Sequence, residues 1–281
     1  MGKESDGLTL FASIVHRKLR AWLNIIRKKI LIMIISIASG KGGTGKTTVA
    51  TNLALSINSD IQLLDCDVEE PNAHLFIRQM FSKTETIYMP VPEVDAQKCN
   101  QCGQCGEICQ FKAIVVIGDI VLTFPELCHS CGGCIEVCPE KAVEETGREL
   151  GMIETGRRNN LDFVHGRLRI GEAMSPPLIR KVRSYSRLDL LTIIDAPPGT
   201  SCPVIAAMKG VDFVLMVTEP TPFGLHDLKL AVEAVKLLGI PRGLVINRSD
   251  IGDDHVRTYA TQENLPILME IPFDRRIAET Y

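Results

Sequence analysis

The sequence lacks an excess of either charge. Its 31 Lys and Arg stand against 34 Asp and Glu, a formal net charge of −3 over 281 residues, whereas nucleic-acid-binding domains tend to be strongly basic. No nucleic-acid partner is expected. It also lacks an apolar run long enough to cross a bilayer. The longest, 30–38, has Ser36 inside it and is about half of the roughly 20 residues a membrane-spanning helix needs, so it reads as a buried strand. No small-residue cleavage site follows the basic, apolar start, and no secretory signal is read. Low-complexity tracts are absent. Outside one stretch there is little cysteine, only Cys66 and Cys202 of ten, which argues against a disulfide framework and for a reducing, cytoplasmic setting. With 45% hydrophobic and 23% charged residues, the composition is that of a globular protein able to build one large or two unequal domains.

What is present is an alternation of apolar strands and helices with one interruption. Ile34–Ala38 reads as a first strand, then a glycine-rich turn and a helix over 47–57, then a strand over 61–64 ending in the acidic run DCDVEE. Further strands are expected at 190–194, 213–217, 244–246 and 267–269. In the intervening 225–238, Leu225, Leu228, Ala231, Val232 and Val235 share one helical face. Continuous apolar strands between helices imply a mostly parallel sheet covered on both faces. The interruption, 93–147, contains eight cysteines and a short hairpin pattern, Ile114–Ile117 and 120–124, turned at Gly118-Asp119. It holds nine acids against three lysines, so a partner docking there should present a basic face.

The turn after the first strand, Gly40-Lys41-Gly42-Gly43-Thr44-Gly45-Lys46-Thr47 and then Thr48, fits the phosphate-binding GxxxxGK[ST] pattern in its strand–loop–helix setting. Its glycines let backbone N–H groups close around phosphate oxygens. Lys46 is expected to reach the β- and γ-phosphates, and the Thr47 hydroxyl to ligate Mg²⁺. Two acidic strand ends follow in chain order, Asp65-Cys66-Asp67 and Asp195-Ala196-Pro197-Pro198-Gly199. Acids at the carboxyl ends of parallel strands stand where such sheets bind ligands.

The cysteines form two runs, Cys99-x2-Cys102-x2-Cys105-x3-Cys109 and Cys128-x2-Cys131-x2-Cys134-x3-Cys138-Pro139. This is the pattern of two-cluster bacterial ferredoxins, in which the fourth cysteine of each run ligates the other cluster. One [4Fe–4S] cluster would use Cys99, Cys102, Cys105 and Cys138, the other Cys128, Cys131, Cys134 and Cys109. Zinc is the rival for CxxC pairs, but two four-member runs ending in x3-C argue against it. Gln110 stands where the first run normally has proline.

The loop KGGTGKT, with its additional Lys41, resembles the deviant Walker A motif of the MinD/ParA/Mrp ATPases, relatives of the nitrogenase iron protein. The chain from Met33 onward resembles members of that family carrying an inserted two-cluster ferredoxin domain. The resemblance implies an α/β P-loop NTPase fold over 33–92 and 148–281, and a small α+β, bacterial-ferredoxin-like domain over 93–147. It implies that Lys41 reaches the nucleotide of a facing subunit, so that ATP holds a homodimer together. Asp67 would orient the attacking water, and Asp65 would lie near phosphates and metal. Asp195 would hold Mg²⁺ through water, and Gly199 would sense the γ-phosphate. Asn247 resembles the residue that reads adenine, and Pro272, Phe273 and Asp274 resemble the loop against the base. Cys202 lies seven residues after Asp195, the offset of a cluster ligand in the nitrogenase iron protein, although a buried core residue is the plainer reading for it, as for Cys66. His129, beside a ligand but off the spacing, is expected in solvent.

Three functions fit an ATP-dependent dimeric switch with two clusters: metallocluster assembly or transfer, ATP-gated electron donation, and spatial organisation with structural clusters. A redox or cluster-acceptor protein would dock on the acidic module. The eight-ligand pattern counts against the third function. Residues 1–32 precede Met33, where such proteins usually begin. They carry seven Lys and Arg against two acids. Leu8, Phe11, Val15, Leu19, Trp22, Ile26 and Ile30 share one helical face. Peripheral contact with an anionic membrane, docking on the ATPase, and translated upstream sequence are the readings for this segment.

Overall fold

The parallel strands follow from runs of apolar residues that only burial on two faces can satisfy. The computed structural model describes residues 33–275, so the reading of 1–32, and the last six residues of the span 148–281, lie outside it. β1 (Ile34–Ala38) leads through the glycine-rich turn into α1 (Lys46–Leu55), and β2 (Ile61–Asp65) into the short α2 (Ala73–Ile77). The long β3 (Met80–Val94) precedes α3 (Gln104–Ile108), the hairpin β4 (Ile114–Ile117) and β5 (Ile120–Thr123), and α4 (Gly133–Glu136). β6 (Val143–Arg158) and β7 (Leu161–Leu168) return the chain to α5 (Pro176–Arg183) and β8 (Leu191–Asp195). α6 (Cys202–Met208), β9 (Phe213–Thr218), α7 (Pro222–Leu237), β10 (Arg242–Asn247), α8 (His255–Gln262) and β11 (Ile267–Ile271) complete the order.

Nine strands form one sheet in the order β11-β10-β9-β1-β8-β2-β7-β6-β3. Every pair from β11 across to β7 is parallel. β6 and β7 are neighbours joined by a two-residue turn with Asn159 at φ 53, which a parallel pair could not use. The mostly parallel sheet is therefore as expected, with antiparallel pairing added on one side. Its core is built by Ile37, Ile61, Leu63, Phe163 and Ile193, all wholly buried, with Val49, Ala50 and Leu53 of α1 against them.

β3 and β6, of 15 and 16 residues, were not anticipated. β3 carries Pro90 and Pro92, is exposed throughout its first five residues and alternates between exposed and buried over 86–91. It is the last strand of the sheet, and an edge strand tolerates prolines because their missing N–H faces outward. β6 is polar along much of its length, so neither shows the continuous apolar run by which the parallel strands are recognised.

The chain divides into two compact units. One comprises the described residues through Glu85, Ile153–Arg167, and those from Leu178 on; the other comprises Thr86–Met152 and Leu168–Pro177. The second unit has a core of its own around Cys105, Ile114 and Val143, with Val116, Val121, Cys134 and Cys138 against it. Within it the nearly buried Arg148 and Glu172 side chains form an ion pair.

Candidate nucleotide site and cysteine module

The glycine-rich loop is shaped by two different uses of glycine. Gly43 and Gly45 have φ of 80 and 87, the left-handed region that costs other residues about 1–2 kcal/mol. Gly40 instead permits close packing, since a Cβ there would lie 2.2 Å from the carbonyl oxygen of Asp227 in α7. Gly42 and Gly43 face open space, which leaves their amides approachable. Ser39 Oγ donates to the Lys41 carbonyl at 2.8 Å, and Asn247 Nδ2 donates to the Thr44 carbonyl at 2.9 Å. Asn247, expected as a reader of adenine, thus braces the phosphate loop in this structure.

Adjacent parallel strands bring the acids together. Asp65 at the end of β2 is the register partner of Asp195 at the end of β8, and both are wholly buried. Lys46 opens α1 and reaches across to them. Its Nζ lies 2.7 Å from Asp195 Oδ1 and 3.7 Å from Asp67 Oδ2. Asp65 accepts from the amides of Asp67 and Ala73, both at 3.1 Å, and so ties the acidic turn to the start of α2. Burial, then the neighbouring Asp195, push the Asp65 carboxyl well above the usual carboxylate range. Burial likewise raises Asp67 to about 6, with Lys46 working against the rise. Burial opposes the Lys46 charge, but Asp195, Asp67 and Asp65 outweigh it and hold the ammonium above its ordinary value. Burial is the first influence on all three groups, and the mutual charges of Lys46, Asp195 and the neighbouring carboxylates act on top of it.

Two buried oxygens of the site, Thr44 Oγ1 and Asp195 Oδ2, have no hydrogen-bond partner among the described residues. Lys46 Nζ lies 3.5 Å from Thr47 Oγ1 as well as 2.7 Å from Asp195 Oδ1, so one ammonium touches both the hydroxyl and the carboxylate, oxygen groups of the kind that hard cations take as ligands. A cleft of about 550 Å³ opens beside the loop. Lys41, Gly42, Gly43, Gly45, Lys46, Thr47, Thr48 and Asp67 line it with Asn247, Pro272, Phe273 and Asp274. Gly40, Thr44, Asp65, Asp195 and Gly199 stand outside that lining; Gly199, at φ 98, donates its amide to the Ser39 carbonyl at 3.0 Å. Arg248 also lines the cleft. It stands 5.9 Å from the Phe273 ring and pairs with Glu219 at 3.1 Å. Sequence reasoning missed it, and its position directly after Asn247 was the one available signal.

In the second unit the cysteines sort into two cavities. Cys99, Cys102, Cys105 and Cys138 line one of about 10 Å³, and Cys109, Cys128, Cys131 and Cys134 line another of about 50 Å³. Cys138 thus joins the first run and Cys109 the second. The two runs repeat one backbone course. Positive φ recurs at Gln101 and Ser130, at Gly103 and Gly132, and at Lys112 and Lys141, each pair 29 residues apart. The amides of Ala113 and Ala142 both donate to the thiol four residues earlier, Cys109 and Cys138, at 3.2 Å. Ser130 N donates to Cys128 Sγ at 3.3 Å. Burial raises the Cys105 and Cys134 thiols; at Cys109 it works in the same direction, but four surrounding amides outweigh it and lower the thiol. Among the described residues no three His, Cys, Asp or Glu side chains converge closely enough for a single metal ion. His129 is exposed, its ring stacked on Phe111 at 3.6 Å.

A family model for the CobQ/CobB/MinD/ParA nucleotide binding domain matches residues 35–281. The chain belongs to this family. Among its relatives is an uncharacterised protein of Methanocaldococcus jannaschii, 30% identical over 256 residues that make up 89% of each chain. A cytosolic Fe-S cluster assembly factor Nubp2 homolog of Anopheles gambiae is 27% identical over 88% of this chain and 85% of its own. The septum site-determining protein MinD of Pyrococcus horikoshii, solved with Mg-ADP, shares the fold with a TM-score of 0.52 at 20% identity, covering 88% of this chain and 84% of that one.

For a MinD/ParA-type P-loop ATPase, two residues stand where the sequence did not point. His165, wholly buried on β7, is the register partner of Asp65. Its Nε2 lies 2.9 Å from Glu154, while burial holds its pKa below the ordinary value. Nothing in the sequence around it distinguishes it from a core histidine. Cys202 corrects an expectation: it is exposed, not core. It opens the short α6, whose buried face is taken by Val204, Ala207 and Met208. Cys66 is buried as expected, and burial raises its thiol. No helix among the described residues is long and apolar enough to cross a membrane.

Proposed function

We propose that the protein is an ATP-hydrolysing dimeric switch that binds two [4Fe–4S] clusters in the 93–147 module and delivers iron–sulfur cargo to an acceptor protein. The observation that carries this reading is the sorting of eight cysteines into two four-thiol cavities with an exchanged fourth member, on a chain that also carries the nucleotide cleft. Amides aimed at Cys109, Cys128 and Cys138 are the donors that stabilise thiolate charge. The resemblance to the Nubp2 homolog favours assembly or transfer over electron donation, by association.

In the ATPase cycle, phosphate oxygens replace Asp195 as the partner of Lys46, whose ammonium is already desolvated and held in position. Asp67 accepts a hydrogen bond from the attacking water and orients it; as the water oxygen bonds to the γ-phosphorus, the bond to the bridging oxygen breaks, ADP leaves with that oxygen, and the water's proton passes to the phosphate product. Thr47 and Asp195 would hold Mg²⁺, which would supply positive charge against that of the phosphates. Lys41, which lines the cleft, would meet the nucleotide of a second protomer, a role suggested by the resemblance of its loop to the deviant Walker A motif.

The test is anaerobic: cluster-loaded protein is incubated with an apo-ferredoxin and ATP, and iron is followed by absorbance on both after separation. Iron and sulfide leaving this chain and appearing on the acceptor supports delivery. Retention of all iron through many turnovers, with electrons passed instead, overturns it in favour of electron donation.

A further inference from the structure

The β4–β5 hairpin is apolar on both faces, although only one of them packs on the cysteine core. Its register pairs Ile114 with Thr123 and Val116 with Val121. Ile114 is wholly buried, and Val116 and Val121 lie in the core around Cys105. The alternate pairs, Val115 with Leu122 and Ile117 with Ile120, share the opposite face, because side chains alternate along a strand. There Ile117 is 64% exposed, Ile120 61% and Leu122 40%, and Phe124, 41% exposed, follows on directly after β5. An antiparallel ribbon with one face in water ordinarily reads polar on that face. Contiguous exposed apolar surface is the mark of an interaction site.

The polar surroundings say what kind of partner fits. Asp119 stands in the hairpin turn, Glu126 two residues beyond Phe124, and residues 93–147 hold nine acids against three lysines. Charge complementarity selects a basic border, and an acidic border on both sides disfavours a second copy of the same face.

We propose that this outward hairpin face is the docking surface for a protein partner presenting an apolar strip edged by lysine and arginine. The partner's role as cargo acceptor rests on the function proposed above; the docking surface itself does not.

The probes are two 18-residue helical peptides with the same leucine face, one otherwise lysine and the other otherwise glutamate. Binding to the full chain is read by fluorescence anisotropy, anaerobically, at low and high salt. The lysine peptide is expected to bind, more weakly as salt rises, and the glutamate peptide at least ten-fold more weakly. The double substitution Ile120→Thr/Leu122→Thr keeps β-branched or polar strand residues on an exposed face; it should weaken the lysine peptide ten-fold or more while melting temperature, iron content and ATP hydrolysis stay unchanged. Equal binding to wild type and variant would mean attraction by charge alone and would overturn the proposal. So would equal affinity for the two peptides, no binding of either, self-association of the chain that the double substitution abolishes, or binding that emerges only when residues 1–32 are removed. Iron and sulfide assays on the same samples keep the two readings apart: stoichiometric zinc without sulfide would sink the cluster function and leave the docking result standing.

Discussion

Lys46 answers three carboxylates with one charge, and the imbalance sets the resting chemistry of the nucleotide site. The raised Asp67 carboxyl, about 6 against an ordinary 3.8, means that the folded protein holds this proton more tightly than the unfolded chain does. Its contribution is therefore present below the unfolded value and is lost as pH rises through about 6. Asp67→Asn should stabilise the nucleotide-free protein at pH 7.5 by on the order of 2 kcal/mol, with little gain at pH 4, in urea unfolding at the two pH values. The same variant should bind ATP yet hydrolyse it about 100-fold more slowly or worse. An equal gain at both pH values would show that ionisation is not the cause. Gly45 tests the loop. Beyond the strain of φ 87, an added Cβ would stand 2.4 Å from Asn247 Nδ2. Gly45→Ala should weaken nucleotide binding at least ten-fold, and adding Asn247→Ala should restore part of the loss, an interaction energy that equilibrium binding of the four variants would measure.

At the scale of elements, the two cysteine runs behave as copies of one loop that exchange their last member. The exchange follows from local geometry: α3 and α4 each begin after a glycine in the left-handed region, Gly103 and Gly132, and the fourth cysteine of each run lies beyond that helix. Anaerobic protein should carry about eight irons per chain, and Cys109→Ser or Cys138→Ser about four. The remaining cluster should differ between the two. Cys109→Ser should leave the electron paramagnetic resonance signal left by Cys131→Ser, and Cys138→Ser that left by Cys102→Ser. If Cys109→Ser instead matched Cys102→Ser, each run would hold its own cluster and the exchange would be refuted.

For the molecule as a whole, the open question is the second protomer. Lys41 lines the cleft, and among the described residues it has none of the buried ion pairs that hold Lys46; the proposed role for its ammonium is to meet another chain's phosphates. Lys41→Ala should retain ATP binding within a few-fold but lose ATP-dependent dimerisation in sedimentation velocity, and its hydrolysis should fall with it. A variant that still dimerises on ATP would refute the trans role of this lysine. Residues 1–32 are tested separately by flotation with anionic vesicles. Salt-sensitive binding that vanishes when the chain starts at Met33 would support a membrane role, and identical behaviour of the two chains would exclude it.

The sequence by itself determined the features that short-range spacing encodes. The phosphate loop had to sit between an apolar strand and a helix start, because its glycines and Lys46 act within eight consecutive residues. The cysteine runs were legible for the same reason, since two-residue gaps bring the first three thiols of each run to one cavity. Ile114–Ile117 and its partner read as a hairpin from alternation around Gly118-Asp119. Tertiary structure alone decided whatever depends on strand order. Asp65 faces Asp195 because β2 lies beside β8, and His165 backs Asp65 because β7 lies on the other side. Asn247 braces Thr44 across some two hundred residues of chain, a contact that no local pattern announces. β3 and β6 escaped notice because an edge position and partial exposure let polar residues and proline into a strand. Which face of the β4–β5 hairpin meets the core, and which is left apolar in water, was likewise decided only by packing. Both faces are written in the same residue types, and burial is a property of the neighbours and not of the residue.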